Sequence, residues 1–143
     1  MTVARILASK GREVVTTQPQ RTLREAVELL SRRQIGAVVV TGPRGEVLGV
    51  CSERDVVRAL AHAGEKALEQ AVSHYMTTKV VTTSDEVTVD RLMSEMTAGR
   101  FRHVPVIREG RLDGLVSIGD VVKFRIDEVE SEHRALRDYI ATA

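Results

Sequence analysis

Val14-Val15-Thr16-Thr17, followed further on by Ser52-Glu53-Arg54-Asp55-Val56-Val57-Arg58, returns as Val80-Val81-Thr82-Thr83 and Ser117-Ile118-Gly119-Asp120-Val121-Val122-Lys123. Val14 and Ser52 stand 38 positions apart, and Val80 and Ser117 stand 37 apart. A unit of about 60 residues therefore occurs twice, with one residue's difference between copies. Two copies of one supersecondary unit stack about a pseudo-two-fold axis, so a site carried by one copy has a counterpart in the other. Each unit alone is too small to bury an adequate core, and the two are expected to fold as one body.

Between the repeated stretches the elements read in the same order. After the extended Val14-Val15, Gln18-Pro19 breaks the chain, and Thr22 with Glu25 offers a capping box for an amphipathic helix ending near Gln34. Ala37 to Val40 and Val47 to Val50 are β-branched runs around the turn-forming Thr41 to Glu46, which makes a hairpin. Ser52 caps a helix running toward Ala63. The second half repeats this with Val80-Val81, a helix bearing Val89, Leu92, Met93 and Met96, strands Val104 to Ile107 and Leu112 to Val116, and a helix from Ile118. The lost residue falls in the shorter hairpin loop Arg108 to Arg111.

Thr2 to Lys10 predicts a short opening helix that Gly11 stops, and Glu65 to Val72 predicts a helical connector. The expected fold is α+β, two pseudo-two-fold-related repeats, each strand-helix-strand-strand-helix, with an extended C-terminal helix. The expected division is residues 1–70, 71–129 and a helical extension over 130–143, all in one module. In that last helix Val122, Ile126, Val129, His133, Leu136 and Ile140 recur at heptad spacing. This seam fits either packing on its own module or a helix-helix dimer contact.

With 21 basic and 20 acidic residues, the net charge of +1 supplies no field for nucleic acid or an anionic membrane. No Trp, two Phe and two Tyr leave single strands without stacking platforms. No apolar run reaches the roughly 18 residues of a membrane span, and the opening apolar stretch is too short for a signal peptide. One Cys fits a reducing compartment. The expectation is a cytoplasmic protein without nucleic-acid or membrane partners.

The chemistry sits at the doubled Ser-x-x-Asp. A Ser at a strand-to-helix junction leaves free N–H groups and the positive end of the helix dipole pointing past the strand ends, a place suited to phosphate. An Asp three residues on lies one turn along the same face. Its carboxylate only accepts, so it can take two hydrogen bonds from a vicinal diol such as ribose. One such pair is ordinary capping. Two at matched places call for a further reason, since the other helix starts diverge from Thr22-x-x-Glu25 to Thr88-x-x-Arg91.

Here the residues resemble a known family. From about Val3 to Val129 the chain is similar to a tandem pair of cystathionine-β-synthase (CBS) domains, a Bateman module of the stand-alone bacterial type. The family's adenosine-ligand signature, hydrophobic-Gly-hydrophobic-x-[Ser/Thr]-x-x-Asp, stands as Leu48 to Asp55 and again as Asp113 to Asp120, where only Asp113 departs. The resemblance implies ribose on Asp55 and Asp120, phosphate near Ser52 and Ser117, and adenine beside Thr16 and Thr17 or Thr82 and Thr83. It further implies phosphate complementation by Arg102 and His103, with Pro105 limiting its strand to local pairing and leaving room beside it. Arg54 replaces that charge in the first copy, where Gly36 and Ala37 are small, and Gly119 completes the second motif.

The implied function is a non-catalytic regulatory module that senses energy or redox state by binding an adenine nucleotide and signals to a target protein acting in trans. AMP is favoured, with ATP, ADP, NAD(H) and S-adenosylmethionine as alternatives, and the molecule is expected to be a homodimer. The rival reading is a structural dimerisation adaptor with vestigial clefts. An enzyme using Asp55 and Asp120 lacks a nucleophile or base beside them. Cys51 aligns with Val116 and reads as a small buried hydrophobe. The four histidines share no ligand spacing, so no metal is expected. Gly42 to Gly45 lacks the ending of a phosphate loop, and Lys10 and Lys79 read as surface lysines.

Overall fold

A computed structural model describes residues 1–142, with elements in the order α1 (Val3–Lys10), β1 (Thr16–Thr17), α2 (Leu23–Arg33), β2 (Ala37–Thr41), β3 (Val47–Ser52), α3 (Glu53–Ala63), α4 (Val89–Gly99), β4 (His103–Arg108), β5 (Arg111–Ser117) and α5 (Ile118–Thr142). This is the mixed helix-and-strand class expected, with the long C-terminal helix in place. The connector takes tight 3₁₀ turns over Gly64–Glu69 and Val72–His74 instead of an α-helix.

Local chemistry sets the matching parts of the two repeats. The Thr22 hydroxyl accepts from Glu25 N at 3.2 Å and the Thr88 hydroxyl from Arg91 N at 3.2 Å, so α2 and α4 start alike. Both end on a left-handed residue, Gln34 (φ 53°) and Arg100 (φ 56°). In the hairpins Ala37 lies opposite Ser52 and His103 opposite Ser117. The second hairpin closes through Glu109 and Gly110, both at positive φ (52° and 77°), as a two-residue turn that matches strand twist. The one-residue difference between repeats therefore lies in the hairpin, as expected. Leu112 N donates to Gly45 O at 2.9 Å and joins the two hairpins near their tips.

The short opening strands differ from expectation in place and length. In the first repeat it is Thr16–Thr17 that pairs, parallel to Val39 and Val40, while Val15 O accepts from Val39 N at 3.2 Å. In the second repeat the strand shrinks to a single bridge between Thr83 and Val106. Pro105 stands where Val39 does and has no N–H to give Val81. The space beside Pro105 is filled by backbone, since Thr83 N donates to Pro105 O at 3.0 Å and Ile107 N to Thr83 O at 2.9 Å.

Two cores form, and each is completed from across the axis. Leu23, Ala26, Leu30, Val38, Val40, Cys51 and Ala59 pack with Ala67 and Val72 of the connector. Val89, Leu92, Met96, Val104, Val106, Val116 and Val121 pack with Val3, Ile6 and Leu7 of α1. The backbone repeats the exchange: Val72 N donates to Arg21 O at 2.7 Å, and Val3 N to Val87 O at 2.9 Å. The helix that opens the chain thus belongs physically to the second core. Two glycines allow this close approach. A Cβ on Gly49 would stand 2.8 Å from Thr77 O, and one on Gly114 would stand 2.9 Å from Leu7 Cδ1.

Candidate functional site

The ends of β3 and β5 deliver Ser52 and Ser117 to the N-termini of α3 and α5. Ser52 N donates to Asp55 Oδ2 at 2.8 Å while Asp55 N donates back to Ser52 Oγ at 3.4 Å. The second repeat matches, with Ser117 N to Asp120 Oδ2 at 2.8 Å and Asp120 N to Ser117 Oγ at 3.2 Å. The paired Ser-x-x-Asp is thus a closed capping box in both copies. Glu53 N donates to Gly36 O at 3.0 Å and Ile118 N to Arg102 O at 2.8 Å, tying each helix start to the head of its central strand.

The two helix starts meet across the axis. Gly36 faces His103 so closely that a Cβ there would stand 3.2 Å from His103 Nε2. The small Gly36 of one repeat thereby receives the larger His103 of the other. Burial pushes the His103 imidazole below its ordinary pKa; nearby Asp120 and Glu53 oppose that shift, while Lys10 and Arg102 add to it.

The two carboxylates differ in what holds them. Asp55 is 5% exposed, and its Oδ1 accepts from Thr77 Oγ1 at 3.0 Å, with Arg58 Nη1 at 3.8 Å. Asp120 is less buried, and Lys10 Nζ reaches its Oδ2 at 2.5 Å while also donating to Leu115 O at 2.7 Å. Burial acts to raise the Asp120 pKa, but the Lys10 ammonium and the Ser117 amide outweigh it and hold the group below the usual range. Lys10 is therefore no plain surface lysine. The sequence carried no signal for this pairing, because the two residues are 110 positions apart. Lys79 is exposed, as expected.

Asp113, which breaks the apolar motif, has its own partner. Arg12 Nη1 reaches Asp113 Oδ2 at 2.7 Å, and the same guanidinium grips Asp85 at 3.2 and 2.9 Å. These pairs tie the segment before β1 to the second repeat.

The expected site residues do not all converge. Thr16 and Thr17 line a groove of about 380 Å³ with Arg21, Glu25, Arg32 and Thr41, on walls that include neither Ser52 nor Asp55. Asp55 borders a separate cavity of about 440 Å³ with Arg58, His62, Gln70, His74 and Tyr75. Thr82 is exposed, whereas Thr83 is buried and its Oγ1 has no hydrogen-bond partner. Arg54 and Gly119 are exposed at the two helix starts, and Pro105 is buried in β4. Cys51 is a buried hydrophobe as read, its thiol pushed up to about 12 by burial and then by Asp55. Among the described residues, no cluster of three or more His, Cys, Asp or Glu could hold a metal, and no helix is long and apolar enough to cross a membrane.

The family model described as the CBS domain matches residues 5–62 and 72–127. The crystal structure of a CBS-domain containing protein from Agrobacterium tumefaciens superposes with a TM-score of 0.83 at 52% identity, covering 87% of this chain and 92% of that one. Two solved structures at 22% identity share the fold. The CBS domain pair of protein MJ0100, in complex with 5-methylthioadenosine and S-adenosyl-L-methionine, gives a TM-score of 0.80 over 90% of this chain and 98% of that one. CBSX2 in complex with AMP gives 0.71 over 80% and 88%.

Proposed function

The chain belongs to the CBS domain family, with two copies of the domain, and from that premise we propose that it is a non-catalytic regulatory module that binds an adenine nucleotide at the junction of its repeats. The observation that carries this reading is the cluster around Asp120. There Ser117, the start of α5, Lys10, Arg102 and His103 gather donors and positive charge around Asp120. The two bonds drawn to Asp120 both land on Oδ2, so Oδ1 is the oxygen a ribose hydroxyl would take. Lys10 and His103 would face the phosphate, and the base would lie beside Thr82 and Thr83. In the first cleft both oxygens of Asp55 are engaged, by Ser52 and Thr77, so binding there would require Thr77 to let go.

AMP is the favoured ligand because a single phosphate matches the few cations present, and CBSX2 binds AMP on the same fold. ATP, ADP, NAD(H) and S-adenosylmethionine compete for the assignment. A ligand that prefers one arrangement of the two repeats would carry an energy or redox signal to a partner protein by shifting that balance. A second copy of the chain is the partner we assign to the helices that start at the cleft. Val57 and Leu60 of α3 and Ile118, Val122 and Ile126 of α5 expose apolar surface there. A cytoplasmic setting fits the lone, buried Cys51.

Melting in the presence of each nucleotide tests the reading. AMP at millimolar concentration should raise the melting temperature. Asp120→Ala, which removes charge-assisted bonds of about 1.5–3 kcal/mol, should weaken AMP about ten- to a hundred-and-fifty-fold by calorimetry. A melting temperature indifferent to the whole panel would leave the adaptor reading in its place.

A further inference from the structure

Only the first part of α5 is packed. Val121 is buried and Phe124 and Glu128 are half-buried, but every residue from Val129 to Thr142 is exposed. At about 1.5 Å per residue this is a helix of roughly 20 Å standing clear of the body. A helix of that length is marginal alone in water. Yet it carries Leu136 at 58%, Tyr139 at 72% and Ile140 at 65% exposure.

We propose that this projecting half of α5 pairs with the α5 of a second copy, parallel and in register, in a short two-stranded coiled coil. The inference rests on the reading that the protein pairs with itself, and it adds the direction of the pairing and therefore the relative orientation of the two modules. Ile126, His133 and Ile140 take the a positions and Val122, Val129 and Leu136 the d positions. Isoleucine at two of the three a positions and Leu136 at the outermost d position suit a parallel pair, the β-branched Val122 and Val129 at d suit it less, and one polar a residue, His133, fixes register.

The flanking charges choose the direction. In a parallel pair each g residue lies beside the e residue of the following heptad on the other helix. That sets Arg125 beside Glu130 of the second copy and Glu132 beside Arg137, two attractive pairs on each side of the seam. The antiparallel register that uses all six seam residues lays Ile126 on Leu136, His133 on Val129 and Ile140 on Val122. It brings Glu130 against Glu130, Glu132 against Glu132 and Lys123 against Arg137, three like-charge contacts, and leaves Arg125 against the uncharged Tyr139. Arg125 is shared with Asp90 and Glu128 of its own chain at 3.3 and 2.9 Å, so Glu132 and Arg137 carry most of the discrimination.

Cysteine cross-linking decides it on the full chain, in a Cys51→Val background that copies Val116. With Leu136→Cys, mild oxidation should yield a covalent dimer, since parallel alignment puts the two sulfurs together. Sedimentation should show Glu132→Arg and Arg137→Glu each loosening the dimer about tenfold, with the double variant restoring it. These side chains lie outside both cores, so folding measured by circular dichroism should not change. A dimer in which a Leu136→Cys chain links only to an Ile126→Cys chain, and never to its own kind, would overturn the parallel alignment while leaving self-pairing intact. A dimer that links in neither combination would show that the tails do not pair. A monomer at tens of micromolar would remove self-pairing and the inference with it.

Discussion

Lys10 Nζ lies 2.5 Å from Asp120 Oδ2, so the last residue of the first helix holds the carboxylate at the start of the last one. Both side chains are partly exposed, at 33% and 23%, and such a pair contributes about 1 kcal/mol or less.

Lys10→Met should therefore lower stability at neutral pH by about 0.5–1 kcal/mol. The Asp120 pKa is depressed in the folded state, so the stabilisation is present above the ordinary aspartate value and fades as pH falls through the folded one. Melting curves of wild type and variant should converge in strong acid. If the gap persists with Asp120 protonated, the ion pair is not its source.

His103 predicts a second, milder acid limb. Its folded pKa is lowered, chiefly by burial, so the unfolded chain takes up a proton first and stability falls as pH drops below the ordinary histidine value near 6.5. His103→Asn should flatten the melting profile in that range. An unchanged slope would assign the effect to another group.

Gly49 and Gly114 occupy matched places with unlike neighbours. Gly49→Ala would press on the Thr77 carbonyl and should cost about 1–3 kcal/mol. Gly114→Ala meets the end of the flexible Leu7 side chain and should cost less. Denaturant unfolding ranks the two, and the reverse order would contradict the exchanged packing.

Pro105→Val should extend the second repeat's opening strand. The new amide can reach Val81 O as Val39 N reaches Val15 O at 3.2 Å. A hydrogen bond worth about 1 kcal/mol is offset by the freer unfolded chain, so hydrogen exchange is the better readout. Exchange of the residue-105 amide at the rate of an open backbone would sink this explanation of the missing strand.

Much of this was readable because it is local. The capping boxes at Ser52 and Ser117 span three residues, the hairpins announce themselves through β-branched runs and turns, and α2 and α4 start at threonines whose hydroxyls accept from the amide three residues on, though without the reciprocal bond of the box expected at Thr22 and Glu25. What escaped the sequence depends on partners far along the chain. The opening strand sits at Thr16–Thr17 because Val39 and Val40 decide the register, and Thr77 came to Asp55 with no motif to mark it. Asp113 departs from its motif because it pairs with Arg12, 101 positions away. The grouping of Thr16 and Thr17 with Asp55 came from resemblance, and these threonines face a different groove.

The exchanged packing also bears on synthesis. On the ribosome α1 emerges well before the surfaces that cover Val3, Ile6 and Leu7, which lie between Val89 and Val121. This helix must wait, apolar side outward, until the second repeat has been made, and its docking closes a loop of about a hundred residues, a slow kind of step. Severing the chain midway would give two fragments, each holding a piece of the other's interior.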